Sequence, residues 1–89
     1  MHKKALEHII NTGETTTVEF KTNFNNEVIE TLVAFANAQG GQVLIGVSND
    51  KNIIGVSLKE ESVQNWINEV KQKTAPSLIP DADLFELAH

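Results

Sequence analysis

A chain of 89 residues, 40% hydrophobic and 21% charged, has room for one domain with one modest core, and it contains no apolar run long enough to span a membrane as a helix. The absence of cysteine excludes a disulfide framework and any thiolate metal site. Seven lysines, no arginine and twelve acids leave a net charge of −5. That balance weighs against tight autonomous binding of nucleic acid, which draws on Lys and Arg to neutralise phosphates.

In chain order, Met1-His2-Lys3-Lys4 is charged but no apolar leader follows it, so the cytoplasm is the expected compartment. Ala5 to Ile10 predicts a short helix with Leu6, Ile9 and Ile10 on one face, stopped at Gly13. Thr15 to Lys21 is β-branched and aromatic and predicts a strand. Asn23 to Asn26 supply turn and cap chemistry for a helix from Glu27 to Gln39, whose stripe is Val28, Ile29, Leu32, Val33, Phe35 and Ala36. Gly40 and Gly41 end it.

Gln42 to Val47 is a glycine-bounded apolar run that suits a buried strand, and Ile53 to Val56 returns after a polar turn, which predicts a β-hairpin. Ser57, with Glu60 three residues on, or a residue nearer Lys59, is expected to cap a third helix carrying Val63, Trp66, Ile67, Val70 and Thr74 inward, ended by Pro76. Leu84 to Leu87 alternates like a last strand. A strand stopping in mid-pattern leads us to expect a piece of a longer protein. The fold class expected is α+β, a mixed sheet with about three helices in a single domain over residues 1–89. Phe35, Val43, Ile45, Trp66, Ile67 and Val70 are expected to be largely buried.

Two stretches are more specific than composition. Glu14-Thr15-Thr16-Thr17-Val18-Glu19-Phe20-Lys21 is one. The other runs Ala34-Phe35-Ala36-Asn37-Ala38-Gln39-Gly40-Gly41-Gln42-Val43-Leu44-Ile45-Gly46-Val47, with Ile54-Gly55 shortly after. Their order and spacing resemble the Schlafen AlbA-like domain, found in bacterial regulators described as divergent AAA or helicase-related and in vertebrate Schlafen proteins. The resemblance covers about Glu14 to Pro80. It implies an AlbA-like α+β fold and a nucleic-acid-binding role in proteins of the transcriptional-regulator type. In the nucleolytic Schlafen members three acids form the cleavage site; two of them match Glu14 and Glu19, and the third position holds Asn49 here. Asp50 is adjacent, but one residue turns a side chain to the other face of a strand.

Glu14 and Glu19 are therefore the candidate catalytic and metal-binding residues. Two convergent carboxylates can hold Mg²⁺ or Mn²⁺ and orient a water against a phosphodiester. The bland alternative is a solvated pair with Glu19 matched to Lys21, two residues along the same strand face. Lys21 and Lys51 are the candidate phosphate contacts. Gly40-Gly41 lies at a helix C-terminus, which repels anions, and Gly-Lys-Ser/Thr never occurs, so a nucleotide cradle is not expected. The reading is a non-catalytic nucleic-acid-binding module, weak alone, homo-oligomeric, without membrane contact or required cofactor. The alternatives are a metal-dependent endoribonuclease and a structural oligomerisation domain.

Overall fold

The structure, a computed structural model, describes residues 2–58 and 60–86. Its elements are α1 (Lys3–Thr12), β1 (Val18–Lys21), α2 (Asn26–Ala36), β2 (Gln42–Ile45) and α3 (Glu60–Lys73). The fold is α+β. β1 and β2 run parallel with Val18 opposite Gln42 and Phe20 opposite Leu44, and α2 makes the crossover that parallel neighbours need. An isolated antiparallel bridge, Val47 to Ile53, follows β2, so both pairing directions occur.

Side-chain alternation along the strands sorts the two faces. Phe20 and Leu44 share one face and pack with Ile10 and Val47, while Leu6, Ile9, Val18 and Ile53 close around them. α1 is thus the lid of the tightest part of the core. The opposite face carries Val43 and Ile45, against which α2 packs. Val28 and Ile29 are the buried residues of α2.

Local chemistry sets the ends of α2. The Asn25 side chain accepts from the N–H groups of Glu27 at 3.0 Å and Val28 at 3.3 Å, a cap the run of asparagines made available. The helix stops at Ala36, short of the expected Gln39, because the Phe35 carbonyl takes the N–H of Ala38 at 3.1 Å and of Gly40 at 2.8 Å. Gly40 has φ 88°, which the turn requires. Gly41 is needed for space: a Cβ there would stand 2.6 Å from the Phe35 ring and 2.8 Å from the Thr17 carbonyl oxygen.

Four expectations change. The hairpin is reduced to the single Val47–Ile53 bridge, because Gly46 turns and its carbonyl takes both the Ile54 and Gly55 N–H groups at 2.9 Å. α3 begins at Glu60, so Ser57 lies ahead of it and is not its cap. Leu84 to Glu86 forms no strand, and Leu87 is outside the described residues. Of the six residues expected to be largely buried, Val70 is, at 1% exposure, while Phe35, Val43, Ile45, Trp66 and Ile67 are half-buried. The reason is a cavity of about 880 Å³ that all of them line, between β2, α2, α3 and residues 78–86. α3 is tied down at its middle and its last turn: Trp66 stacks on Phe24 with centroids 5.0 Å apart, and Lys73 donates to Asn26 Oδ1 at 2.9 Å.

Candidate functional site

Glu14 leaves α1 behind Gly13 and enters a tight turn in which Thr15 and Val18 bond reciprocally, N to O, at 3.0 and 3.4 Å. The turn folds the chain back along the outer edge of β1. Gln42 N–H and Gly46 N–H donate to the carbonyls of Thr17 and Lys21, which fixes those residues toward β2 and turns the Phe20 N–H outward. That outward N–H donates to Glu14 Oε2 at 2.9 Å. A carboxylate thus occupies the hydrogen-bonding edge of the strand.

Glu19 projects from the same strand, and the structure brings it onto Glu14: the two carboxyl groups are hydrogen-bonded to each other. The bond from the Phe20 N–H, and then that from Glu19, hold Glu14 below the usual glutamate range. Glu19 is pushed above it, first by its bond to Glu14, then by burial and by the Glu14 charge. Lys21 attracts both carboxylates electrostatically, yet its ion pair is with Glu27 in the first turn of α2, at 3.3 Å, rather than with Glu19 as the strand-face spacing led us to expect. Glu27 lies across the β1–α2 connection, a pairing hidden from strand spacing.

Lys51 sits in the turn after β2 with φ 70°, and its side chain crosses Gly13, with Cε 3.2 Å from where a Cβ of that residue would be. Lys51 is therefore beside the entry to the Glu14 turn. Asn49 is exposed in the same turn as Lys51. Asp50 is committed locally, one oxygen accepting from the Ser48 hydroxyl and the other from Asn52 Nδ2 at 3.1 Å. It does not swing toward the carboxylate pair.

The donor set does not fit a three-acid metal site. Two carboxyl groups meet, one oxygen of Glu14 is spent on a backbone N–H, and among the described residues no group of three acids or histidines stands together. His2 and His8 are exposed on or beside α1, and His89 is outside the described residues.

The model of the family described as Schlafen, AlbA_2 matches residues 14–89, beginning at the glutamate of this turn. The chain belongs to the Schlafen AlbA_2 family. Comparison with curated proteins and with solved structures gave no match. The order and spacing of the Glu14–Lys21 and Ala34–Val47 blocks therefore identified the Schlafen AlbA_2 domain correctly. Sequence reasoning missed the Phe20–Glu14 bond and the cavity beside β2. The first had no signal, because a carboxylate six residues upstream reaches a strand edge only through the turn geometry. The second had one: Val43-Leu44-Ile45 is apolar on both faces, which is how a strand with neighbours on both sides reads.

Among the described residues no helix is long and apolar enough to cross a membrane.

Proposed function

We propose that this Schlafen AlbA_2 chain is a cytoplasmic nucleic-acid-binding regulatory module, of the transcriptional-regulator type, that holds its ligand without cleaving it and gains strength by self-association. The observation that carries the non-catalytic part is the state of the acids: Glu14 is spent on the Phe20 N–H and on Glu19, and Asp50 on Ser48 and Asn52. Family membership supports the nucleic-acid part, and Lys51 beside Gly13 with Lys21 on β1 supplies the phosphate contacts. With net charge −5 and two such lysines, binding by one copy is weak and strongly salt-dependent.

Fluorescence anisotropy with labelled single- and double-stranded DNA and RNA tests this. Two phosphate contacts give a log–log salt slope of roughly −1.4 on single strands to −1.8 on duplex DNA. Lys51→Ala should reduce that slope by about one. Binding that is absent, or indifferent to salt, overturns the reading. The convergence of Glu14 and Glu19 favours a second reading, a divalent-metal-dependent endoribonuclease. Mn²⁺-dependent RNA cleavage abolished by Glu19→Ala would replace the first reading with that one.

A further inference from the structure

The cavity of about 880 Å³ is walled by this chain alone, with β2, α2 and α3 contributing and residues 55–58 and 78–86 completing the wall. Its volume is that of a small-molecule site rather than of a packing flaw. Leaving so much apolar wall to water forgoes burial on which a domain of this size depends, so covering it stabilises the fold. Water is a poor occupant, because it settles where buried polar groups lack partners. Among the described residues no buried side-chain nitrogen or oxygen is without one. The chain's own tail borders the space but does not fill it, since Ile79 and Leu84 remain 71% and 61% exposed.

The lining sets the chemistry of an occupant. Four aromatic rings take part, those of Phe24, Phe35, Trp66 and Phe85. Three of them are held in place: Trp66 and Phe24 by their stack, and Phe35 by the Gly41 backbone, where a Cβ would stand 2.6 Å from the ring. Every charged residue of the lining is an acid, namely Asp81, Asp83 and Glu86, all on the tail; no lysine or histidine joins them. An anion entering this space meets like charge and no cation to offset it. A cation meets carboxylates, and aromatic faces whose quadrupoles attract it.

We propose that this cavity is a binding site for a small organic cation with an apolar, aromatic body. The body covers the wall formed by β2, Phe35 and Trp66, and the charge is directed to the tail, where Asp81 and Glu86 lie. Nothing in the site draws on Lys21, Lys51 or the Glu14–Glu19 pair, so it stands whether or not the chain binds nucleic acid. The two are also read separately, one by anisotropy of a labelled nucleic acid and the other by the emission of Trp66 on the cavity wall.

The test uses tetraphenylphosphonium and tetraphenylborate, two probes of nearly one shape and opposite charge, each titrated into the whole chain. The phosphonium should change the Trp66 emission saturably and raise Tm, as a ligand of the folded state does. The borate should bind at least about tenfold more weakly. Asp81→Asn combined with Glu86→Gln alters two exposed side chains, so the fold is kept. That double variant should narrow the ratio between the two probes by at least about threefold. Three results overturn the proposal: no saturable change with the phosphonium up to millimolar concentration, a borate that binds as tightly or more so, or a ratio that the double variant leaves unchanged.

Discussion

The Glu14 carboxylate and the Phe20 backbone N–H are joined at 2.9 Å across the outer edge of β1, six residues apart in sequence. Glu14→Ala leaves that N–H to water or to a foreign strand and should cost about 1 kcal/mol. Glu14→Gln keeps a carbonyl acceptor and should cost less than half as much. Urea unfolding of the two variants, with exchange of the Phe20 amide, measures this; equal losses would mean that charge and not edge closure is what Glu14 contributes.

The opposed shifts of Glu14 and Glu19 give a pH dependence with two opposed limbs. Glu14, held low, contributes stability that is present above the ordinary glutamate range and lost as pH falls through its lowered value. Glu19, pushed high, contributes stability that is present below that range and lost as pH rises through its raised value. The pair therefore supports the fold most within the ordinary glutamate range and less on either side. Glu19→Gln should flatten the decline on the alkaline side, read as urea midpoints between about pH 4 and pH 7.

Calorimetry with Mn²⁺ checks the donor set. The parent chain should bind it weakly, since among the described residues no group of three acids or histidines stands together. Asn49→Asp adds the missing negative charge near this edge and should tighten Mn²⁺ by about tenfold, because affinity of hard-cation sites follows ligand charge count. No gain would mean that the 48–52 turn stands too far from Glu14.

Packing predicts unequal costs for the two large aromatics. Phe20 is 2% exposed at the centre of the α1 cluster, so Phe20→Ala should cost about 3–5 kcal/mol, enough to unfold the chain. Trp66 is half-buried on the cavity wall, and its firm attachment is the Phe24 stack. Trp66→Ala should cost only about 1–2 kcal/mol. Thermal and urea unfolding of both variants settles the ranking.

Gly41→Ala should cost about 1–3 kcal/mol, because its Cβ meets the Phe35 ring and the Thr17 carbonyl and neither yields without moving β1 or the end of α2. Gly41→Ser should be no better. Unfolding midpoints equal to those of the parent would show that the helix end relaxes freely.

The parts of this molecule governed by near neighbours were legible from the residues. Asn25 capping α2, the glycines after it and the α3 stripe through Val70 all follow from local chemistry. What failed depended on distant partners. Leu84 to Glu86 alternates like a strand but pairs with none, and Trp66 lies on an inward stripe that faces a void. Glu14 and Glu19 could be singled out from the residues, but the spacing gave neither their approach to each other nor the diversion of Lys21 to Glu27.

Trp66 is the single tryptophan, and the chain has no tyrosine. Its ring lies within 8° of parallel to that of Phe24, at the junction of α3 with the start of α2. The ultraviolet emission of this protein therefore comes from one corner of it, and none from the α1 cluster around Phe20. A melt followed by fluorescence reports α3 lifting off Phe24, whereas far-ultraviolet dichroism weights all three helices. If α3, which borders the cavity, releases first, the emission midpoint falls below the dichroic one, and the gap between the two curves becomes a direct reading of how independently that helix is held.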